Sequence, residues 1–258
     1  MDLWMYPAII LAGLAAGFIN TLAGSGSLVV LALLDFLGVP INIANGSNRV
    51  GVLFQNFTGI FSFHQKGFVD WRGGLMLAVP ASVGSFVGAG LANDLDEDTL
   101  KFVIGLVMVV MLIVILIRPQ RWLEGTLEKF EGNPSMVQLG SFFFIGMYGG
   151  FIQAGVGIFL LAGLVLGAGY NLVRANAVKL LINMVFTAVA LFVFVRNGQV
   201  DWTIGILLAI GNSAGAWIAA RMAVERGAEF VRYVLIAVVV ISAVRFLGIG
   251  AFVLNFFN

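Results

Sequence analysis

The chain has 258 residues, of which 60% are hydrophobic and only 10% are charged, and its mean hydropathy is +1.04. Soluble domains carry roughly 25% charged residues, so this composition excludes an ordinary soluble domain and predicts that most of the surface faces lipid. The net charge of +1 indicates no nucleic-acid partner, and the absence of cysteine excludes disulfides, thiolate metal sites and cysteine nucleophiles.

Apolar stretches of membrane-spanning length follow one another along the chain, since a helix needs about 20 apolar residues to cross a bilayer. Six stretches come near that length, at about 50–64, 72–92, 100–118, 178–195, 202–222 and 230–248. Two more, about 7–38 and 136–167, are too long for one span, and each has a glycine-rich break, at 23–27 and 155–157. A broken backbone at membrane depth is tolerated only where it is buried in protein or lines a cavity. We therefore predict two helical pieces joined by a tight turn in each long stretch.

The second half of the chain repeats the first with an offset of 131 residues. The segment GFVDW at 67–71 returns as GQVDW at 198–202, and Gly24 and Gly26 return as Gly155 and Gly157. Duplication of an apolar chain is typical of secondary transporters, whose substrate site lies between the copies. The predicted fold is an all-α integral membrane protein with two repeats of about five apolar helical segments each. The first two segments of each repeat are expected to form a broken or hairpin-like pair around a glycine-rich turn.

An odd number of segments in each half would make the two repeats inverted. With the N-terminus outside, ten of the 14 lysine and arginine residues fall on the inner side of the membrane and four on the outer side. The positive-inside rule then predicts that both termini lie outside, in the periplasm. We predict one integrated membrane domain, with a first repeat at 1–118, a cytoplasmic linker at 119–135 and a second repeat at 136–258.

Polar residues gather at the glycine breaks and shortly after them, which predicts an anion site. A helix that begins inside the membrane directs unpaired N–H groups and the positive end of its dipole at the preceding turn, glycine permits close approach, and serine and asparagine add donors. The candidate substrate-binding residues of the first half are Asn20, Gly24, Ser25, Gly26, Ser27, Asn48 and Arg49. Those of the second half are Gln153, Gly155, Gly157 and Lys179.

Structural alternatives exist for several of these residues. Arg49 and Lys179 could instead sit at helix ends and extend to the membrane interface, and the glycine breaks could serve only helix packing. The pairs Asp70-Trp71 and Asp201-Trp202 are interpreted as a helix cap followed by an interfacial anchor.

Enzyme chemistry has no candidate residues in the sequence. No aspartate or glutamate lies deep in a predicted span, and the chain has neither a metal-ligand cluster, nor a nucleophile elbow, nor a phosphate-binding loop. We therefore expect a protein that is not an enzyme and needs no cofactor or metal.

The segments GLAAGFINTLAGSGS at 13–27 and ANGSNRV at 44–50, together with the GFVDW segment, resemble the sulfite exporter TauE/SafE family over nearly the whole chain. The resemblance implies a multi-pass inner-membrane protein that moves small sulfur-containing anions such as sulfite, sulfoacetate or other organosulfonates. The leading hypothesis is an exporter that works by alternating access about a midplane site between the repeats, with the anion and the lipid bilayer as its partners. An anion channel and a membrane subunit that delivers sulfur compounds to an enzyme remain alternatives. The glycines at 84, 88 and 90 would allow a homo-oligomer.

Overall fold

The computed structural model describes residues 3–92 and 132–246, with side chains as far as residue 237. The described residues are helical and contain no strand. The first four helices are α1 (Met5–Leu22), α2 (Ser27–Phe36), α3 (Ile41–Gln65) and α4 (Trp71–Leu91). They are followed by α5 (Met136–Phe151), α6 (Val156–Ala162) with a π-helical turn (Gly163–Gly167), α7 (Leu172–Arg196) and α8 (Trp202–Phe246).

Four of these helices are long and apolar enough to cross a membrane, namely Met5–Leu22, Trp71–Leu91, Leu172–Arg196 and Trp202–Ala237. All-helical architecture with apolar spans therefore confirms the predicted integral membrane class. The predicted span at 100–118 and most of the linker, residues 119–131, lie outside the described residues.

Both predicted breaks are present. The first lies between α1 and α2, where Gly24 adopts a left-handed backbone (φ 84°), and the second lies between α5 and α6, where Gln153 and Gly155 have φ of 68° and 77°. Gly26 lies against the backbone of Ala16, so the chain turns back beside α1 after the first break. Glycine is suited to these turns because its lack of a Cβ permits both positive φ and close backbone approach.

One predicted boundary is corrected. Helix α3 begins at Ile41 and not near 50, because the polar residues at 45–49 are helical and buried rather than part of a loop. The spans predicted at 202–222 and 230–248 lie on either side of Gly227 in α8, where the backbone is not helical (φ 73°), so the predicted division between them is present as a kink. The capping prediction is confirmed, since Asp70 Oδ1 accepts a hydrogen bond from the Gly73 amide (3.1 Å) and Asp201 Oδ1 from the Thr203 amide (2.8 Å).

The two halves pack against each other in a reciprocal way. Helix α1 of the first half packs most extensively on α8 of the second, and α5 of the second half packs on α4 of the first. Glycines make both contacts close: a Cβ on Gly17 would meet the backbone of Asn212, and one on Gly146 would meet the backbone of Ala81. Gly84 and Gly88 also lie against α5, so this glycine face contacts a helix of the same chain.

Helices α3 and α7 cross near the middle of the molecule and run in opposite directions. Gly59 lies opposite Leu180, while Asn56, one turn earlier on α3, bonds to Asn183, one turn later on α7. Both helices are largely buried, and they bring the polar residues of each half to the level of the two breaks.

Candidate functional site

The two glycine breaks touch each other at the centre of the described structure. The amide of Gly157 donates a hydrogen bond to the carbonyl of Gly24 (3.2 Å), and a Cβ on either glycine would collide with the backbone of the other. The starts of α2 and α6 therefore lie at one crossing point. This meeting of the two breaks was not predicted as a direct contact.

A buried polar cluster of the first half lies beside the crossing. Asn20 Oδ1 accepts a hydrogen bond from the Ser27 amide (3.2 Å), which caps the start of α2. Asn20 Nδ2 donates to Gln55 Oε1 (3.1 Å) and to Ser27 Oγ (3.3 Å). Asn20 thus links α1, α2 and α3 through one side chain.

The second half has a matching cluster around Gln153, which lies in the second break. Gln153 Nε2 donates to Asn183 Oδ1 (2.9 Å), and Thr187 Oγ1 donates to the same oxygen (3.0 Å). Long bonds from Asn183 Nδ2 (3.4 Å) and Gln55 Nε2 (3.5 Å) to Asn56 Oδ1 join this cluster to the first.

We call this chain of buried side chains the polar seam. It consists of Ser27, Asn20, Gln55, Asn56, Asn183, Gln153, Thr187 and Arg49. It runs across both halves at the level of the glycine crossing, where the surrounding residues are apolar.

Arg49 is completely buried and binds the end of α5 in the other half. Its Nη1 donates to the carbonyl of Gly149 (3.1 Å) and to Gln153 Oε1 (3.1 Å), and its Nη2 donates to the carbonyl of Gly150 (2.6 Å) and to Asn45 Oδ1 (3.4 Å). The last carbonyls of a helix have no partner within the helix, and a cation there also meets the negative end of the dipole. Arg49 thus acts as a cap, and the alternative of extension to the interface is wrong.

Lys179 of the second half caps the end of α1 in the first half. Its ammonium donates to the carbonyls of Asn20 (2.9 Å) and Thr21 (2.8 Å) and to Asn176 Oδ1 (2.6 Å), and its side chain is 1% exposed. These three bonds use all three protons of the ammonium group. Each half therefore places a buried cation on the broken first helix of the other half.

Several buried polar atoms near the crossing have no hydrogen-bond partner among the described residues. They are Ser25 Oγ, Thr21 Oγ1, Arg49 Nε, Asn56 Nδ2, and both side-chain polar atoms of Asn48 and of Asn212. Unpaired buried polar groups are costly and uncommon in native proteins, and most of them meet water, an ion or a ligand.

Ten of the eleven residues predicted from the sequence lie at the two breaks or in the hydrogen-bonded groups around them, whereas Asn48 is buried on α3 and bonds to none of them. Asn20, Ser27, Arg49 and Gln153 belong to the polar seam, and Lys179 caps α1. Gly24, Ser25, Gly26 and Gly155 lie in the breaks, and Gly157 lies in the first turn of α6. Residues that the prediction missed are Gln55, Asn56, Thr187 and Asn212. Spacing could have found two of them, because Asn48 and Gln55 are seven residues apart and Asn45, Arg49 and Asn56 follow the period of a helix face.

The electrostatics of the described region favour an anion. Arg49 and Lys179 are both buried, whereas the only buried acidic side chain among the described residues is that of Asp70, which accepts a bond from Tyr170 Oη (2.7 Å) at the start of α4. The described residues contain no group of three or more histidine, cysteine or acidic side chains that could hold a metal.

Apolar spans around a buried polar seam define a multi-pass integral membrane protein, and comparison with known proteins identifies its class. The chain matches the family described as Sulfite exporter TauE/SafE over residues 9–246. Because the match covers nearly the whole chain, the protein belongs to this family and is a membrane transporter.

Curated relatives agree with this assignment. Probable membrane transporter protein ORF9 of Sinorhizobium sp is 27% identical over 241 residues, which cover 93% of this chain and 91% of the relative. Probable membrane transporter protein YfcA of Escherichia coli (strain K12) is 24% identical over 232 residues, which cover 90% and 86%. Probable membrane transporter protein YdhB of Bacillus subtilis is 26% identical over 216 residues, which cover 82% and 86%. No solved structure matches the chain.

Proposed function

We propose that this transporter exports small sulfur-containing anions, such as sulfite, sulfoacetate or other organosulfonates, across the inner membrane. It does so by alternating access about a site at the glycine crossing, between the two halves. The observation that carries the proposal is the group of unpaired buried donors beside two buried cations at this crossing.

Charge balance supports an anionic substrate. A helix C-terminus carries about half a negative charge, so the two helix ends that Arg49 and Lys179 cap offset roughly one of their two positive charges. About one positive charge then remains inside a region of low dielectric, where a monoanion would neutralise it. A cation at the same place would add to an already unfavourable field.

The hydrogen-bond donors near the crossing suit an oxyanion. Ser25 Oγ and Arg49 Nε are both unpaired and buried, and Ser25 lies directly after Gly24, two residues before the start of α2. Sulfite and sulfonate groups carry three oxygens that accept such bonds. In this proposal Ser25 and Gly26 donate to the oxygens, while Arg49 and Lys179 supply the field and hold the breaks in place.

Inverted repeats would give the alternating movement. The support for inversion is the antiparallel crossing of α3 with α7, which are equivalent helices of the two halves, and the reciprocal pairs α1 with α8 and α4 with α5. In this proposal residues 1–118 and 136–258 form the two repeats, and rocking of one against the other exposes the crossing first to the cytoplasm and then to the periplasm.

Flux measurements in proteoliposomes test the proposal. We expect saturable uptake of labelled sulfite that is accelerated by sulfite on the opposite side, because counter-flow requires a site that is exposed alternately. Flux that does not saturate and shows no counter-flow would replace the transporter with a channel. Absence of flux for sulfite and for every sulfonate, from folded protein, would remove the substrate class.

Two substitutions of Arg49 test its role at the proposed site. Arg49→Ala removes four hydrogen bonds and the charge, so we expect flux to be lost and the thermal midpoint to fall. Arg49→Lys keeps the charge but not the planar fork of donors, so we expect a folded protein with weaker apparent affinity, by about tenfold. Wild-type affinity in both variants would reject any role of Arg49 at the site.

A further inference from the structure

Asn212 on α8 is a buried amide outside the polar seam. Its side chain is 0% exposed, and neither its Oδ1 nor its Nδ2 has a hydrogen-bond partner among the described residues. Asn48 on α3 is in the same condition, with 0% exposure and both polar atoms unpaired. Native proteins seldom retain two such amides unless a ligand uses them.

The amide of Asn212 lies against the part of α3 that carries Asn48. A Cβ built on Gly51 would lie 2.6 Å from Asn212 Nδ2, so the amide of Asn212 occupies the space that a side chain at Gly51 would take. Asn48 precedes Gly51 by three residues on α3, and residues three apart are neighbours on a helix surface. The absence of a side chain at Gly51 therefore leaves room for the amide of Asn212 beside that of Asn48.

The other half of the molecule shows how the same position can be filled without polar groups. With the repeat offset of 131 residues, Asn212 corresponds to Ala81, and Gly51 corresponds to Ile182. Gly17 packs on the backbone of Asn212 as Gly146 packs on the backbone of Ala81, so the helix contact is the same in both halves. Ala81 and Ile182 belong to one buried apolar cluster. The equivalent positions of the other half are thus occupied by apolar residues, and the unpaired amide is a feature of the Asn212 position alone.

The surroundings connect this amide pair to the polar seam. On α1, Asn20 follows Gly17 by three residues, and on α3, Gln55 follows Gly51 by four residues. Asn20 and Gln55 belong to the seam and are hydrogen-bonded to each other at 3.1 Å. The pair Asn48 and Asn212 therefore lies about one helical turn from the seam, toward the beginning of α3.

We propose that Asn48 and Asn212 form a neutral subsite that binds the uncharged polar part of the transported sulfonate, such as a hydroxyl group, while the sulfonate lies at the glycine crossing. This inference rests on the function proposed above. A carboxamide presents an acceptor as well as donors, and a hydroxyl group can give a proton to one amide oxygen and accept from an amide N–H. A second fully ionised oxyanion group has no proton to give and would leave both amide oxygens unpaired.

The test compares two sulfonates of nearly equal size in proteoliposomes, 2-hydroxyethanesulfonate and propane-1-sulfonate. Wild-type protein is expected to transport the hydroxyl compound with a KM about tenfold lower, because the methyl group of its analogue leaves the amides unpaired. Asn212→Leu should bring the ratio of the two KM values close to one. Ser213→Ala, a change at the neighbouring and less buried position, is the matched control and should keep the wild-type ratio.

Thermal unfolding without substrate gives an independent readout. Asn212→Leu should unfold at a temperature about 2–4 °C above wild type, because it removes two unpaired buried atoms. A lower unfolding temperature for this variant would mean that the amide supports the fold, and would overturn the subsite. Equal KM values in wild type, or an unchanged ratio in Asn212→Leu, would also overturn it. Absence of flux for both sulfonates would instead overturn the proposed function and the sulfonate as occupant.

Discussion

Arg49 and Lys179 show how a membrane protein stabilises the ends of a helix that is interrupted inside the membrane. Each break leaves carbonyls at the end of the preceding helix without partners, and lipid offers none. A guanidinium satisfies two carbonyls at the end of α5, and an ammonium satisfies two at the end of α1. The cations are thus structural elements of the breaks as well as sources of positive potential.

Removal of Lys179 should be costly for this reason. Lys179→Met leaves the carbonyls of Asn20 and Thr21 buried and unpaired, and we expect the free energy of unfolding to fall by about 3 kcal/mol. Thermal unfolding in detergent measures the change. Lys66→Met, at an exposed position, serves as the control and should leave the unfolding temperature unchanged. An unchanged midpoint for Lys179→Met would show that its three bonds contribute little.

At the level of helices, the glycine breaks were predictable because short polar and glycine-rich runs interrupt otherwise apolar stretches. The first break lies where the sequence predicts it, and the second, at 152–155, begins three residues before its predicted position. The beginning of α3 was not predictable in the same way. Asn45 and Asn48 are typical of a loop, and only burial by neighbouring helices makes them part of a helix. The caps were missed because a backbone carbonyl has no signature in sequence, and the cations that bind it come from 100 or more residues away.

A comparison of alanine substitutions at Gly24 and Gly38 separates the energy of the contact between the two breaks from the energy of backbone strain. Both have positive φ, but a Cβ on Gly24 would meet the backbone of Gly157, whereas Gly38 has nothing within 4 Å. Gly38→Ala should cost about 1–2 kcal/mol of stability from conformation alone. Gly24→Ala should cost clearly more, because the two breaks must also separate.

Unfolding temperature and sulfite flux, measured on both variants, check this prediction. Gly38→Ala is expected to retain flux, since it lies at an exposed turn after α2. Similar losses of stability in the two variants would mean that the crossing of the breaks tolerates a methyl group.

At the scale of the whole molecule, the orientation of the repeats can be tested at one pair of equivalent positions. Lys66 ends α3 and Asn197 ends α7, both are exposed, and they are 131 residues apart. If the repeats are inverted with both termini outside, Lys66→Cys lies in the cytoplasm and Asn197→Cys lies in the periplasm. The chain contains no other cysteine, so each variant carries one reactive thiol.

Labelling of intact cells with a membrane-impermeant maleimide shows on which side of the membrane each cysteine lies. Asn197→Cys should react directly, and Lys66→Cys only after the inner membrane is permeabilised. Reaction of both variants from the same side would mean parallel repeats and would exclude the proposed topology.

Each half supplies the cation that caps a helix of the other half, and this arrangement sets an order of events during biogenesis. The carbonyl of Thr21 is bound by Lys179, which is synthesised 158 residues later. At roughly 5–20 residues per second, the ribosome needs on the order of ten seconds or more to cover that distance. For that interval the first broken helix is in the membrane without the ammonium group that completes it. The first half can therefore reach its final structure only after the second half has been inserted. A chain truncated before α7 should be recognised and degraded by membrane quality control.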